Sequence, residues 1–277
     1  LKKIGIIGGG IIGLSIAHKI QLKYPKFKVL IFEKEKKIGM HQSSRNSGVL
    51  HCGIYYTPGS LKAKLAVSGI KEMTDFCIKN EVPHEICGKI IVATNNREVD
   101  LLNNLEKRGK LNGLKNLKFL EKRALQKREP YVHARKALLV PEEGIVDYKN
   151  VMQILSELII KRSGEIITNT KISSVSDFKE KVVIHDNNHD WELDYLVNCT
   201  GLFSDRNFTN FTSKKSPIKI IPFRGEYMKI KPKFNKLVNS LIYPVPDPEF
   251  PFLGVHFTRL INGDREFGPN AVFAFKR

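Results

Sequence analysis

Apolar residues enter this chain as unbroken blocks and leave it as alternations, which predicts two kinds of layer. "KKIGIIGGG" is an apolar block running into glycines, a buried strand that ends in a tight turn. In "IIGLSIAHKIQLK", Ile12, Ile16 and Ile20 recur at helical spacing beside the small Gly13 and Ala17, so this segment is a helix lying close on a sheet. "FKVLIFEKE" is a second apolar block that ends in acid, completing a βαβ unit with parallel strands. A polar, small-residue stretch follows, "HQSSRNSGVLHCGIYYTPGSLKAKL", and then a helix near residues 59–80 with Pro58 placed for its start. "KIIVAT" predicts a strand, and the lysine-rich sequence after it a helical region.

In "EEGIVDYKNVMQILSELIIKRSG" the pattern returns to helical spacing, with Asp147 as the expected N-cap and Gly164 as the stop. "EIITN", "KISSVSDF", "KVVIHD" and "WELDYLVNCTG" alternate and predict sheet, the last strand running straight into Thr200 and Gly201. From Pro217 onward, strands and proline-marked bends predict a β-rich layer that ends on the strand "AVFAFKR" with no closing helix, the pattern of a truncated chain. The chain therefore leaves an α/β domain and returns to it.

Composition narrows the class. The 277 residues with 42% hydrophobic content can bury a substantial core and exclude disordered and collagen-like chains. No window reaches the roughly 18 apolar residues of a membrane span, and Leu1 leads into a strand instead of a signal peptide. Cys52, Cys77, Cys87 and Cys199 form no CxxC pair, so they are expected as reduced, mostly buried thiols with no metal site. The net charge of +18 raises polyanions as partners. The 34 lysines outnumber the 12 arginines and are scattered, so no nucleic-acid partner is expected. A denser region, eleven Lys/Arg from Lys107 to Lys136, is the one place where a peripheral contact with acidic lipid is expected, on the inner face of a membrane in a cytoplasmic protein.

The chemistry begins at Gly8, Gly10 and Gly13, a G-x-G-x-x-G between strand and helix, with Glu33 at the end of the next strand, 20 residues beyond Gly13. The glycines allow the turn, the approach of a pyrophosphate and close helix packing, and the helix N-terminus faces the phosphate charge. Glu33 accepts from a ribose diol and disfavours a 2′-phosphate. The long polar loop after Glu33 favours FAD over NAD. Ser43, Ser44, Arg45, Asn46 and Ser47 supply donors to wrap a diphosphate and ribityl chain, and Gly48 permits approach to a flat ring. Thr200, Gly201 and Asp205 in "LVNCTGLFSDR", and Val175 in "KISSVSDF", complete the expected cofactor contacts.

Together with "IPFRGEY" and "YPVPDPEFPFLGVHFTRLINGDREFGPNAVFAFKR", the segments "HQSSRNSGVLHCGIYYTPGSLKAKL" and "LVNCTGLFSDR" resemble the L-2-hydroxyglutarate dehydrogenase (oxidase) family of the D-amino-acid-oxidase-like FAD superfamily. The similarity spans essentially all of residues 1–277, and members of the family continue past the equivalent of Arg277. With the pattern above it implies an α/β fold. A Rossmann-like FAD-binding domain takes residues 1–81 and 141–213, and a discontinuous β-rich substrate domain takes 82–140 and 214–277, the last segment incomplete. It also implies oxidation of L-2-hydroxyglutarate, a small 2-hydroxy dicarboxylate, to 2-oxoglutarate, with FAD as hydride acceptor and electrons passing to a quinone or oxygen. The alternatives are an amino-acid or glycerol-3-phosphate oxidase of the same superfamily, or an inert or RNA-associated nucleotide-binding module.

Removing a hydride from C2 leaves a hydroxyl proton for a base, and an imidazole, with an ordinary pKa of ~6.5, suits that task. His51, just beyond the flavin-wrapping loop, is preferred over His256. A dicarboxylate needs cationic or hydroxyl clamps, for which Arg224, Arg259 and Lys276 are the cationic candidates and Tyr55, Tyr56 and Thr258 the hydroxyl ones. Cys52 has no legible base or oxyanion partner and is expected to line the pocket.

Overall fold

Lys3–Ile7 is buried at every position but the first, and it forms the centre of a four-stranded parallel sheet. The computed structural model describes residues 1–250 and 252–275. Across that sheet the order is Tyr195–Asn198, Lys3–Ile7, Lys28–Phe32, Glu165–Ile167, each neighbouring pair parallel. Strands this apolar need cover on both faces. The helices Ile11–Lys23 and Tyr148–Lys161 belong to the same unit, and the buried Gln21 joins them, its Nε2 donating to the Ile159 and Arg162 carbonyls at 3.2 Å each. A three-stranded antiparallel sheet, Ser174–Asp177, Val182–His185 and Asp190–Leu193, packs Ile184 and Leu193 with Ile7, Leu30 and Phe32.

"WELDYLVNCTG" is two strands, not one. Asp190–Leu193 stays in the antiparallel sheet while Tyr195–Asn198 joins the parallel one. The switch occurs at Asp194, whose carboxylate accepts the Lys3 amide at 2.6 Å and whose amide donates to the Lys3 carbonyl at 2.9 Å.

The chain divides into two compact units, residues 1–46, 148–222 and 274–277 in the first and 47–147 with 223–273 in the second. The second holds a seven-stranded mixed sheet in the order Phe223–Lys229, Arg265–Phe273, His256–Arg259, Leu241–Pro244, Lys89–Ala93, Lys136–Val140, Lys118–Leu120. It also holds a small antiparallel sheet of Val49–Leu50, Gly144–Val146 and His84–Glu85. These boundaries differ from those the sequence pattern suggests, which keep residues 47–81 with the first domain and begin the return at 141. Val49–Leu50 already pairs with Gly144–Val146, and the helix Leu61–Lys79 packs Val67 and Ile70 against the core cluster of Ile54, Ile91, Leu102 and Leu138. The return begins only at Tyr148.

Two local expectations also change. The helix after residue 59 is capped by Ser60, whose hydroxyl accepts the Ala63 amide at 3.2 Å, so Pro58 lies outside it. The basic region is not one helix. Asn96–Leu111 stops at Asn112, Gly113 turns with φ +92°, and a short strand precedes the helix Lys122–Arg128.

Replacing Ser60 by Ala removes one capping acceptor and is expected to lower unfolding stability by ~1 kcal/mol. Urea denaturation measures this, and an unchanged midpoint contradicts the assigned cap.

Candidate functional site

In the first unit the glycine fingerprint behaves as its spacing predicts. Gly8 has φ +112°, and a Cβ there would run into the Cys199 carbonyl. A Cβ on Gly13 would strike the Gly8 carbonyl oxygen, so Gly13 is what lets the helix lie against the turn. Gly10 differs, because a Cβ there would meet only the Ser43 hydroxyl, at 3.1 Å. That hydroxyl accepts the Ile11 amide at 3.0 Å, which brings the polar loop to the helix N-terminus. The Gly10 cap supplies no side-chain acceptor and the first turn carries no acid, so the positive end of the helix dipole is left for an anion. Glu33, nearly buried, accepts the Gly9 amide at 2.7 Å and the Glu35 amide at 2.9 Å, and each oxygen keeps a second lone pair for a ribose hydroxyl. Gly201, at φ +56°, faces the Gln42 side chain across the loop. These groups fit a nucleotide diphosphate: a close-approach glycine turn, a helix N-terminus and a carboxylate converge in one unit.

The other cofactor candidates are held by contacts within the fold. The Asn46 amide donates to the Gln42 and Ser43 carbonyls at 3.1 and 2.9 Å and so braces its own turn beside Ser44 and Arg45. The Thr200 hydroxyl donates to Asn198 at 2.7 Å. Asp205, buried, accepts the Arg206 and Ile220 amides at 2.8 and 2.9 Å, stitching residues 217–222 to the helix Ser204–Thr212. Ser47 and Gly48 belong to the second unit. Ser47 hydrogen-bonds Tyr227, and the φ of +70° at Gly48 serves its close approach to the Val146 carbonyl. Val175 pairs with Ile184 and lines a cavity of about 530 Å³ with Tyr195, Phe208 and Phe211, to which no glycine-turn residue contributes.

The second unit contains a charged cluster that motif reading missed. Lys89 and Glu143 are both fully buried and form an ion pair of 2.7 Å. The Lys89 ammonium also lies over the Tyr55 and Tyr243 rings, 4.3 and 4.8 Å from their centroids. Glu143 Oε2 is 3.2 Å from His51 Nδ1, and Oε1 accepts the Cys52 amide and thiol at 3.3 Å each. Burial pushes the Glu143 carboxyl upward, but the Lys89 and His51 contacts outweigh it and bring it down to about 2. His51 keeps 39% of its side chain exposed. His256 is buried and stacks on Tyr243 at 3.9 Å, and its Nδ1 donates to the Gly254 carbonyl at 2.9 Å. Burial holds this imidazole below its ordinary value, hence neutral at cellular pH. Both histidines thus flank Tyr243, His51 edge-on at 6.3 Å.

The sequence held faint signals of the cluster: a lysine opening the apolar strand "KIIVA", and paired glutamates before Gly144. A buried lysine demands a partner, but nothing in the spacing says which acid supplies it.

The expected substrate residues separate. The Thr258 side chain is fully buried against Tyr243, and the Tyr55 hydroxyl is buried, with burial pushing its pKa well up, so neither offers an accessible donor. Cys52 is likewise buried beneath the site instead of lining it, and burial drives its thiol far up. Arg259 is held bidentately by Glu85 at 2.7 and 2.6 Å. Arg224 is 67% exposed and, among the described residues, pairs with Glu226, while Tyr56 stands at the surface beside Lys62. Lys276 lies outside the described residues. Among the described residues no group of His, Cys, Asp and Glu could hold a metal ion.

The model of the family described as FAD dependent oxidoreductase matches residues 3–276. The chain is 46% identical to an L-2-hydroxyglutarate dehydrogenase of Indibacter alkaliphilus, covering 98% of this chain and 68% of that protein. It is 43% identical to a mitochondrial L-2-hydroxyglutarate dehydrogenase of Nematostella vectensis, covering 99% and 63%. With the Escherichia coli K12 L-2-hydroxyglutarate dehydrogenase the identity is 42%, covering 98% and 64%. The chain thus spans about two thirds of the length of the curated relatives it matches. In fold it is similar to dithionite-reduced L-alpha-glycerophosphate oxidase from Mycoplasma pneumoniae with FAD bound, at TM-score 0.87 and 24% identity over 100% of this chain and 73% of that one. Glycine oxidase from Geobacillus kaustophilus follows at TM-score 0.82 and 18% identity, covering 100% and 74%.

Two predictions follow from the geometry. Gly10→Ala should leave the FAD-free protein close to wild-type stability yet weaken FAD binding at least about tenfold, whereas Gly13→Ala should itself destabilise by more than ~2 kcal/mol. Thermal unfolding and flavin fluorescence titration separate the two, and equal behaviour of both variants contradicts the assigned roles. The second concerns pH. Because the folded Glu143 carboxyl lies below its ordinary 4.5, its contribution to stability is present above about pH 4.5 and lost as pH falls toward about 2. Relative to the paired apolar replacement Lys89→Met/Glu143→Leu, the wild type should lose about 3 kcal/mol over that window in urea unfolding. Parallel profiles would contradict the pair.

Proposed function

The chain belongs to the FAD dependent oxidoreductase family and, within it, to the L-2-hydroxyglutarate dehydrogenases, and from that premise we propose that it oxidises L-2-hydroxyglutarate to 2-oxoglutarate. One observation carries the assignment of roles: a half-exposed imidazole, His51, anchored through Nδ1 on a buried carboxylate held ionised. FAD, when bound, accepts the hydrogen of C2 with its electron pair. The residues that would hold it are Gly8, Gly10, Gly13, Glu33 and Ser43, with Gly201 opposite.

His51 takes the hydroxyl proton at Nε2. Of the two electron pairs released at C2 and oxygen, the C–H pair leaves with hydrogen as hydride and the O–H pair becomes the second bond of the carbonyl. His256 is too enclosed to reach a substrate hydroxyl, so its role is to brace Tyr243. A carboxylate of the substrate binds Arg224, whose exposed pair with Glu226 is weak enough to exchange, surface pairs being worth at most about 1 kcal/mol. Tyr56 supplies an accessible hydroxyl. Arg259 contributes its charge while Glu85 fixes its orientation.

The electrons pass on to a quinone or oxygen. In the basic region Arg108, Arg128, Arg135 and Lys136 are tied to Tyr55, Cys87, Asn96 and Asn103, and Lys110 pairs with Glu106. The exposed Lys107, Lys115, Lys118, Lys122, Arg123 and Lys127 remain for a peripheral contact with acidic lipid at the cytoplasmic face. Among the described residues no helix is long and apolar enough to cross a membrane.

The test is anaerobic mixing of the FAD-loaded protein with each enantiomer while flavin absorbance is followed. The L form should bleach it and the D form should not, and His51→Asn should slow bleaching roughly 10²–10⁴-fold. Bleaching by an amino acid or glycerol 3-phosphate, and not by L-2-hydroxyglutarate, overturns the substrate.

A further inference from the structure

We propose that Glu143 is the positioning residue that decides which nitrogen of His51 is the base, an inference resting on the assignment of His51 as the proton acceptor. The arrangement starts in strand register. Leu50 pairs with Gly144 in the antiparallel sheet, which sets the residue after Leu50, His51, beside the residue before Gly144, Glu143. The backbone at this point has no slack, because the Glu143 carbonyl accepts the Gly88 amide at 2.8 Å and a Cβ on Gly144 would strike the Glu85 carbonyl.

The carboxylate is fixed in rotation as well as in place. Oε1 serves the Cys52 amide and thiol, and Oε2 serves Lys89 and His51. The imidazole meets the Tyr243 ring and the neutral His256, and the Lys89 ammonium, the Tyr55 side chain and the Cys52 thiol gather around the same carboxylate. Glu143 is the one anion of this set, and an ionised carboxylate can only accept. His51 Nδ1 therefore carries the hydrogen, and Nε2 presents its lone pair. When Nε2 receives the substrate hydroxyl proton, the imidazolium forms 3.2 Å from a carboxylate already stripped of water. Lys89 has the complementary part: without its charge the buried carboxylate would protonate and lose its hold on Nδ1.

The readout that separates this role from packing is the His51 tautomer, measured by nitrogen NMR on histidine-labelled protein without FAD, at a pH where the ring is neutral and with His51→Asn to assign the signal. The wild type should show Nδ1 protonated. Glu143→Gln alone leaves the Lys89 charge unpaired in the core and can fail to fold, so the deciding variant is Lys89→Met/Glu143→Leu, which removes both charges. In that variant the ring should shift toward the Nε2-protonated form, and flavin reduction should slow about 10²-fold or more with KM little changed. An unchanged tautomer overturns the proposal, and a slowed reaction with an unchanged tautomer assigns Glu143 to packing alone and overturns it equally. If the wild type shows the Nδ1-protonated ring but L-2-hydroxyglutarate leaves its flavin oxidised, the reaction assignment fails and the positioning by Glu143 stands.

Discussion

The second unit is organised around one ion pair, Lys89 with Glu143, both without solvent exposure. Burying two charges costs several kcal/mol each unless geometry and further hydrogen bonds repay it, so such a pair survives only where its surroundings are complete. Here they are. Two aromatic rings face the ammonium, the Cys52 amide and thiol bind one carboxylate oxygen, and His51 binds the other. Lys89 opens an interior strand of the seven-stranded sheet, next to the central one, and Glu143 precedes a strand of the small sheet, so the same contact joins the two sheets and orients the imidazole.

The first unit rests on a steric constraint instead. Gly8 and Gly13 are glycines because carbonyl oxygens occupy the space of a Cβ, and the compactness of that turn brings the helix N-terminus to the strand ends. The approach of a nucleotide phosphate is then a property of backbone amides and the helix dipole, needing no cationic side chain. Gly10 is the one glycine of the three where a Cβ would meet no backbone, only the Ser43 hydroxyl at 3.1 Å, so the fold itself demands the missing side chain least there.

What was legible in the sequence is what local pattern encodes. The βαβ unit, the glycine fingerprint, Glu33 and the β-rich C-terminal layer follow from periodicity and small-residue spacing, and each is found where the pattern put it. The crossing between units at Ser47 was not legible, because it depends on Val49 and Leu50 pairing with a strand almost a hundred residues away. The same holds for side chains whose type suits a ligand but whose burial removes them from one, such as Thr258 and the Tyr55 hydroxyl. Glu143 was missed for the converse reason: an acid in "PEEG" looks like surface until the sheet register sets it against His51.

The central claim is that C2–H cleavage is coupled to proton capture by a carboxylate-oriented histidine. Its most direct test is anaerobic stopped-flow bleaching of the flavin by L-2-hydroxyglutarate carrying deuterium at C2. The account predicts that deuterium at C2 slows bleaching several-fold, as a primary isotope effect requires, and that heavy water as solvent slows it further, because the hydroxyl proton leaves in the same step. Equal rates for the two isotopologues, with the chemical step shown to limit bleaching, would contradict it.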